Sequence, residues 1–365
     1  MLILNNEEIE SLITVEGSLD SLERAYKAQA EGRAVTRPRT DMYLPGTTEG
    51  GVYAFKSMEG GLVESQIVAL RLNSDVIRWE KRGDDLIKNK SPVAPGGKWV
   101  GLVLLFSART GEPLAIFPDG VIQRWRVAGT NALAAKYLAR EEASVVAMFG
   151  AGWQAGAHVP MICGVRKIKR IQVYSPTESR RVSFCREMEQ KVGVPVVPVA
   201  KAEDALRDAE ILIAATNSVT RVILPEWLRP GIFVACVKPS ELGEETIRKA
   251  DRVVLHARKA APENYIAGFD EKIEAHDPVE FLQGKKKLES AAPESPFWLA
   301  SPEIKDVVSG KAPGRSSPDE ITCFINTIGL GLQFAALGGS VYAEARARKV
   351  GREIPTEWFL ESVHP

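Results

Sequence analysis

This sequence predicts an α/β protein built on a doubly wound parallel sheet and joined to a second, α+β domain. Two observations carry that reading. Between residues 145 and 255 short apolar segments alternate with amphipathic helical ones, the pattern required by a parallel sheet covered on both faces. Between Val35 and Pro118 strand-like segments instead follow one another, separated by Gly- and Pro-containing turns, as in an antiparallel sheet. The length agrees, because 365 residues exceed one ordinary core and suggest about two domains.

Taken in order, Leu2–Leu4 reads as a short strand. Asn5 or Asn6 then caps a helix beginning EEIESLI, whose first-turn carboxylates suit the positive end of the helix dipole. A second helix spans Leu19–Glu31 and stops at Gly32. Strands are expected at Thr36–Leu44, Val52–Met58, Ile67–Asn73 and Leu102–Ser107, with the charged, proline-punctuated stretch Trp79–Gly97 as a long loop. A helix over Thr130–Arg140 leads into the alternating half. There the strands are Val145–Phe149, Ile171–Tyr174, Val196–Val199, Ile211–Ala215, Phe233–Val237 and Val253–Leu255. Helices Gln154–Gly164, Ser179–Val192 and Ala202–Arg207 lie between them. Gln283–Lys311 is polar and proline-containing, and a last helical block covers Thr327–Ala347. The expected domains are 127–310 for the parallel sheet and 1–126 for the other, completed by 311–365.

Composition narrows the function. Lysine plus arginine and aspartate plus glutamate number 47 each, so the basic excess that draws proteins to nucleic acids or membranes is missing. Four cysteines form no C-x-x-C pair and four histidines show no ligand spacing, which points to free thiols in a reducing cytoplasm and no metal. The segment MLILNNEEIESLI lacks the basic and apolar regions of a signal peptide. No run approaches the roughly 18 apolar residues of a membrane helix.

The strongest chemical signal is Gly150-Ala151-Gly152-Trp153-Gln154-Ala155, between a strand and a helix. A pyrophosphate bound there must come close to the backbone and accept N–H groups from the helix start. Gly150 permits the tight turn, Gly152 leaves room for the phosphates, and Ala155 lets helix and strand pack closely. This is the dinucleotide loop of a Rossmann domain. The next strand tip selects the nucleotide. An NAD-selective site places an acid there for the ribose hydroxyls, whereas this chain offers Ser175, Thr177, Arg180 and Arg181. Hydroxyls and guanidinium groups suit a 2′-phosphate, so NADP(H) is preferred, with NAD(H) as the alternative.

Read with its surroundings, the chain resembles the ornithine cyclodeaminase/mu-crystallin family from about Val35 to Ala345. The resemblance rests on Pro38-Arg39, Ala54-Phe55-Lys56, the run LLFSARTGEPLAI ending at Ile116, and Arg126-Val127-Ala128-Gly129-Thr130. It continues through the GAGWQA loop, Ala214-Ala215-Thr216, Ile321-Thr322-Cys323-Phe324 and Gly329. It implies a homodimer, a substrate pocket supplied by the non-Rossmann part, and hydride transfer at the α-carbon of an amino acid or its imine. By resemblance, Arg39 and Arg126 hold the substrate carboxylate and Lys56 is the active-site lysine, while Thr216 and Gly329 join the cofactor site. The chemistry of the three cations fits, since a planar guanidinium grips a carboxylate and a buried lysine can exchange a proton with nitrogen.

Three departures bear on the reaction. By the same resemblance, the cyclodeaminases and alanine dehydrogenases carry an aspartate in the loop that reads here Cys236-Val237-Lys238-Pro239-Ser240-Glu241, where Ser240 takes its place and Glu241 lies one residue along. Lys98 stands where many members have threonine, and Asn326 where aspartate is common. The expected function is therefore NAD(P)H-dependent reduction of a C=N bond, or oxidation of CH–NH, in a small amino acid or cyclic ketimine. The alternatives are a cyclodeaminase-type lyase that releases ammonia and a non-catalytic, cofactor-dependent binding protein.

Overall fold

A computed structural model of the chain describes all residues except 49–50, 83–84, 219, 260, 275–281, 283–295 and 363–365. Its strands form two sheets.

The second sheet has seven strands, all parallel, in the spatial order Val196–Pro198, Arg170–Tyr174, Val145–Phe149, Ile211–Ala214, Phe233–Cys236, Thr322–Ile325, Arg252–Leu255. Its central strands are buried along almost their whole length, which is why they read as largely apolar runs. The strand order reverses between Val145–Phe149 and Ile211–Ala214, and ligands of such sheets sit at that switch point, beyond the carboxyl ends of the strands. The Rossmann-type α/β class is thus observed.

The first sheet has eleven strands among the described residues. Its centre is antiparallel: Thr40–Thr48, Gly51–Leu62, Ile67–Arg82, Val100–Ser107 and Pro113–Pro118 are successive neighbours. The helix Gly331–Arg348 returns from the end of the chain to lie on this sheet. At the crossing, a Cβ on Gly60 would fall 2.1 Å from the Leu332 nitrogen, and one on Gly331 2.0 Å from the Glu59 carbonyl. Two glycines therefore let helix start and strand meet backbone to backbone.

Several expectations change. Trp79–Gly97 is not a long loop: the strand from Ile67 runs on to Arg82, and Asp85–Ser91 pairs with it in antiparallel register. A hairpin held by backbone pairing needs no apolar run, so its charged sequence hid it. The helix expected at Thr130 begins at Gly120, and it crosses the expected boundary at 126/127. Its Gly129 leaves room for Leu22, whose Cδ1 would lie 2.5 Å from an added Cβ. The second sheet reaches past 310, because Thr322–Ile325 pairs with both of its last two strands. Conversely Glu263–Ile266, within 127–310, pairs with Thr40–Thr48 of the first sheet. Short helices occupy Pro296–Ala300 and Ile304–Val308 in the stretch read as merely polar.

The N-terminal elements obey local rules. Asn5 caps Asn6–Leu12 in a reciprocal capping box with Glu8, each bond 2.8 Å. Thr14 caps Val15–Ala30, four residues earlier than the periodicity indicates, and Gly32 ends that chain segment in the left-handed region at φ +75°.

Candidate active site

Gly150 turns the chain at the switch point. Its φ is +114°, its N–H donates to the Tyr174 carbonyl at 2.8 Å, and an added Cβ would fall 2.3 Å from the Ala215 oxygen. Glycine is thus required twice, by conformation and by space. Gly152 differs. Its backbone is extended where it opens the helix Trp153–Cys163, and a Cβ there would meet nothing within 4 Å. The space in front of this helix start is kept clear by a residue that the protein itself does not need to be small. Helix-start amides facing clear space form an anion seat, and half-buried Ala151 adds no bulk. Ala155 is fully buried under the loop, as expected for close helix–strand packing. Gln154 turns aside, its Nε2 donating to Gln123 Oε1 at 3.2 Å. These residues fit a dinucleotide pyrophosphate.

The opposite lip is Thr216, and Glu241 holds it. Glu241 is fully buried and accepts from the Thr216 N–H and hydroxyl, both 2.7 Å, and from the N–H groups of Val237 and Lys238 at 2.9 and 3.0 Å. Burial pushes its carboxyl pKa up, against those bonds. Every oxygen is spent on shaping the loop, so Glu241 is a clamp, and Ser240 beside it is exposed. Neither takes the place of the missing aspartate. At the ribose end, Ser175 is half-buried while Thr177 and Arg180 are exposed at the start of helix Glu178–Val192. Thr177 makes no capping bond with its side chain. Arg181 is buried and donates to the Ser175 carbonyl, fixing the turn.

The cations of the first sheet gather by register. Asp41 lies opposite Lys56, and Lys56 opposite Asn73. Directly paired residues share a face, and so do positions two apart on one strand, so Arg71 joins them. Lys56 is buried. Arg39 grips both oxygens of Asp41 through one edge of its fork, at 2.7 Å for Nε and 2.5 Å for Nη2. Arg71 is buried and donates from Nε and Nη2 to one oxygen of Asp119, both 2.7 Å. Arg126 comes from the helix Gly120–Leu138. It is buried, its closest polar contact is Gln333 at 3.5 Å, and its Nε has no partner among the described residues. Arg71 and Arg126 lie over the same Phe334 ring, 5.6 and 5.7 Å from its centroid. Burial first, then the Arg71 charge, push the Arg126 guanidinium down to about 9. A buried cation so placed gains from any anion that reaches it.

Arg126's helix also touches the dinucleotide loop, through Gln123 to Gln154 and through Arg124, which lies 5.7 Å over the Trp153 ring. The cationic cluster and the anion seat are neighbours. Gly329, expected at the cofactor, lies instead against Arg126: an added Cβ would fall 2.8 Å from Nη2. Lys98 is exposed on a turn and stands outside the cluster. Arg71, Asp119 and Phe334 were missed by sequence reasoning. The alternation of strand Ile67–Arg82 placed Arg71 on a face, but only pairing with Lys56's strand shows which one.

Two buried polar seams support these parts. Gln333 Nε2 donates to Tyr26 Oη and Thr130 Oγ1, and Tyr26 Oη meets His256 Nε2 at 2.9 Å. In the other, Asn326 donates to Asn131, Asn131 to His158 Nε2 at 2.9 Å, and His158 Nδ1 to the Gln154 carbonyl at 2.8 Å. Burial lowers the pKa of His158 to about 4 and of His256 to about 3. Both imidazoles are neutral in the fold but take up protons near pH 6.5 when unfolded. Stability from this source is complete above pH 6.5 and is lost as pH falls toward 4, by on the order of a few kcal/mol. Thermal melting followed from pH 7 to 4 should show it, and His158→Gln should flatten the acid limb.

Comparison with known proteins agrees with this geometry. A Delta(1)-pyrroline-2-carboxylate reductase of Bacillus cereus is 29% identical over 259 residues, spanning 70% of this chain and 74% of its own. A structure of the Thermococcus litoralis Delta(1)-pyrroline-2-carboxylate reductase with NADH and L-proline shares the fold, with TM-score 0.73 at 24% identity over 97% of this chain and all (100%) of that one. An archaeal alanine dehydrogenase dimer with bound NAD gives 0.71 at 25% identity, over 97% and 99%. A sequence profile of the ornithine cyclodeaminase/mu-crystallin family matches residues 87–349. That profile spans well over half of the sequence, and the Rossmann sheet agrees with it, so the chain belongs to the ornithine cyclodeaminase/mu-crystallin family.

Proposed function

We propose that this chain is an NAD(P)H-dependent oxidoreductase that acts on the C=N or CH–NH group of a small amino acid or cyclic ketimine. The observation that carries the reading is Arg126, a buried guanidinium with no carboxylate partner among the described residues, beside an open dinucleotide seat. The dinucleotide supplies the hydride. Arg126 binds the substrate carboxylate with a planar fork, and Arg39 adds positive charge from the rim. Lys56 Nζ delivers the proton to the imine nitrogen, so that hydride on carbon and proton on nitrogen complete the amine. Burial of Arg126, Arg71 and Lys56 keeps water away and strengthens each of these contacts.

The same reading favours reduction over the lyase. Deamination with ring closure asks for an additional acid or base, and the loop that would carry it offers exposed Ser240 and a Glu241 whose oxygens are already engaged. Steady oxidation of NADPH with a cyclic ketimine carboxylate, or with pyruvate plus an amine, is the expected result. Ammonia release from ornithine without net change in the dinucleotide would overturn it.

Ser175, Thr177 and Arg180 support NADP(H) as the preferred cofactor, since the strand tip at Tyr174 and Ser175 carries no acid, Glu178 follows only at the helix start, and Arg180 is exposed. Arg180→Ser should raise KM for NADPH about tenfold or more while changing that for NADH little, a loss typical of one charge-assisted phosphate contact. Exposed Val35, Met42 and Val68, which share one face of the first sheet by register, support a homodimer through that face. Free Cys163, Cys185, Cys236 and Cys323 suit a cytoplasmic setting, and no helix among the described residues is long and apolar enough to cross a membrane.

A further inference from the structure

The two halves of the cationic cluster are not equivalent. Arg39 spends its Nε and Nη2 edge on both oxygens of Asp41 and is 23% exposed, at the rim. Arg71 is buried beside Arg126, shares the Phe334 ring with it, and turns its Nε and Nη2 toward one oxygen of Asp119. Among the described residues no other polar contact of Arg71 is seen, which leaves its Nη1 edge for a ligand. The fields agree with the geometry, because Arg71 depresses Arg126 more strongly than Arg39 does.

We propose that Arg71, rather than Arg39, is the second guanidinium on the substrate carboxylate, and that Asp119 is the residue that positions it. The proposal rests on the imine-carboxylate reading above and deepens it. Two guanidinium groups then clamp one carboxylate from different elements, a strand and a helix, over a common aromatic floor.

Asp119 is what makes the clamp rigid. It stands at the start of the helix that carries Arg126, seven residues ahead, and positions seven apart lie on one helix face. At a helix start its carboxylate would ordinarily cap free N–H groups. Here it makes no side-chain cap and accepts instead from Arg71 and, at 3.3 Å, from Asn73. The chain makes room for this. A Cβ on Gly101 would fall 2.1 Å from Asp119 Oδ1 and 2.4 Å from Asn73 Nδ2, so only glycine lets the carboxylate reach across. One acid therefore fixes the strand-borne guanidinium relative to the helix-borne one. The substrate class follows: imines or amines that keep a planar α-carboxylate, with the neutral amide strongly disfavoured, because it would set its own N–H groups against two buried donors.

The test is binding to the NADPH-loaded enzyme, measured by calorimetry with pyrrole-2-carboxylate and with its carboxamide. The wild type should prefer the carboxylate strongly. Arg71→Lys keeps a charge beside Asp119 but loses the fork, and Arg71→Gln loses both. Each should narrow the preference by roughly tenfold to a hundredfold, the range of a charge-assisted pair. Arg39→Gln should narrow it less. Asp119→Asn should narrow it also, with NADPH affinity held, which a general loss of structure would not do. A preference that stays within twofold in Arg71→Lys, or that falls further in Arg39→Gln, overturns the assignment. So does a wild type that does not distinguish acid from amide. Because the readout needs no turnover, a chain that binds the acid through Arg71 yet reduces no imine overturns only the reaction proposed above.

Discussion

Replacing Arg126 by methionine will lower kcat/KM for an imine carboxylate by about a thousandfold while leaving the melting temperature unchanged or higher. The two halves of that expectation come from one fact. Arg126 is buried, has no carboxylate partner among the described residues, and reaches Gln333 only at 3.5 Å. An unpaired buried cation weakens the fold, and an apolar side chain of similar length relieves the cost. Removing one side of a buried charge pair formed with substrate costs about 2–5 kcal/mol, which reaches roughly a thousandfold in the upper half of that range. A structural arginine would behave in the opposite way, with stability falling and the kinetic loss following from it. Titration of NADPH into the variant separates the outcomes, since the dinucleotide seat lies on other residues and its affinity should be kept.

The second large effect distinguishes two glycines that stand two residues apart in one loop. Gly150→Ala forces a side chain into the left-handed region at φ +114° and within 2.3 Å of the Ala215 carbonyl. Relief requires the turn to open, which breaks the bonds from Gly150 N to Tyr174 and from Ala215 N to Phe149, both 2.8 Å. Strain of this kind costs about 1–3 kcal/mol for the dihedral alone, so the melting temperature should drop and NADPH binding should be lost. Gly152→Ala has ordinary extended backbone and open space. Its stability should hold or rise by up to about 1 kcal/mol, as glycine replacements do at compatible sites. NADPH affinity should nevertheless fall, because the methyl group enters the space kept for phosphate. Melting curves with and without NADPH read both variants. An alanine at 152 that bound NADPH like the wild type would mean that no pyrophosphate rests there.

The parallel half of the fold was legible because its strands are buried on both faces. Val145–Phe149 and Ile211–Ala214 appear as runs of apolar residues between glycines, charges and turns. The dinucleotide loop was legible for the same local reason, since Gly150 and Gly152 answer to backbone conformation and clear space close at hand. What depends on pairing between distant segments was hidden. Thr322–Ile325 is too short to announce a strand, and its place between Phe233–Cys236 and Arg252–Leu255 is set by tertiary contact. The Asp85–Ser91 hairpin strand is charged, so periodicity gave no sign of it. Arg71 is the sharpest case. Nothing local separates it from a surface arginine, and its role emerges only when Met58 and Lys56 on the next strand, Asp119 at a helix start and Phe334 from the end of the chain come together. Gly329 was expected at the cofactor, but the neighbour the fold gives it is Arg126, a contact over 200 positions long that no spacing rule conveys.

The most direct measurement is isotopic. NADPH deuterated at the transferring position of nicotinamide C4, incubated with the enzyme and a cyclic ketimine carboxylate, should give an amino acid carrying one deuterium at its α-carbon, with one NADP+ formed per product. Product without deuterium, or ammonia released while the dinucleotide pool stays unchanged, would contradict the assignment.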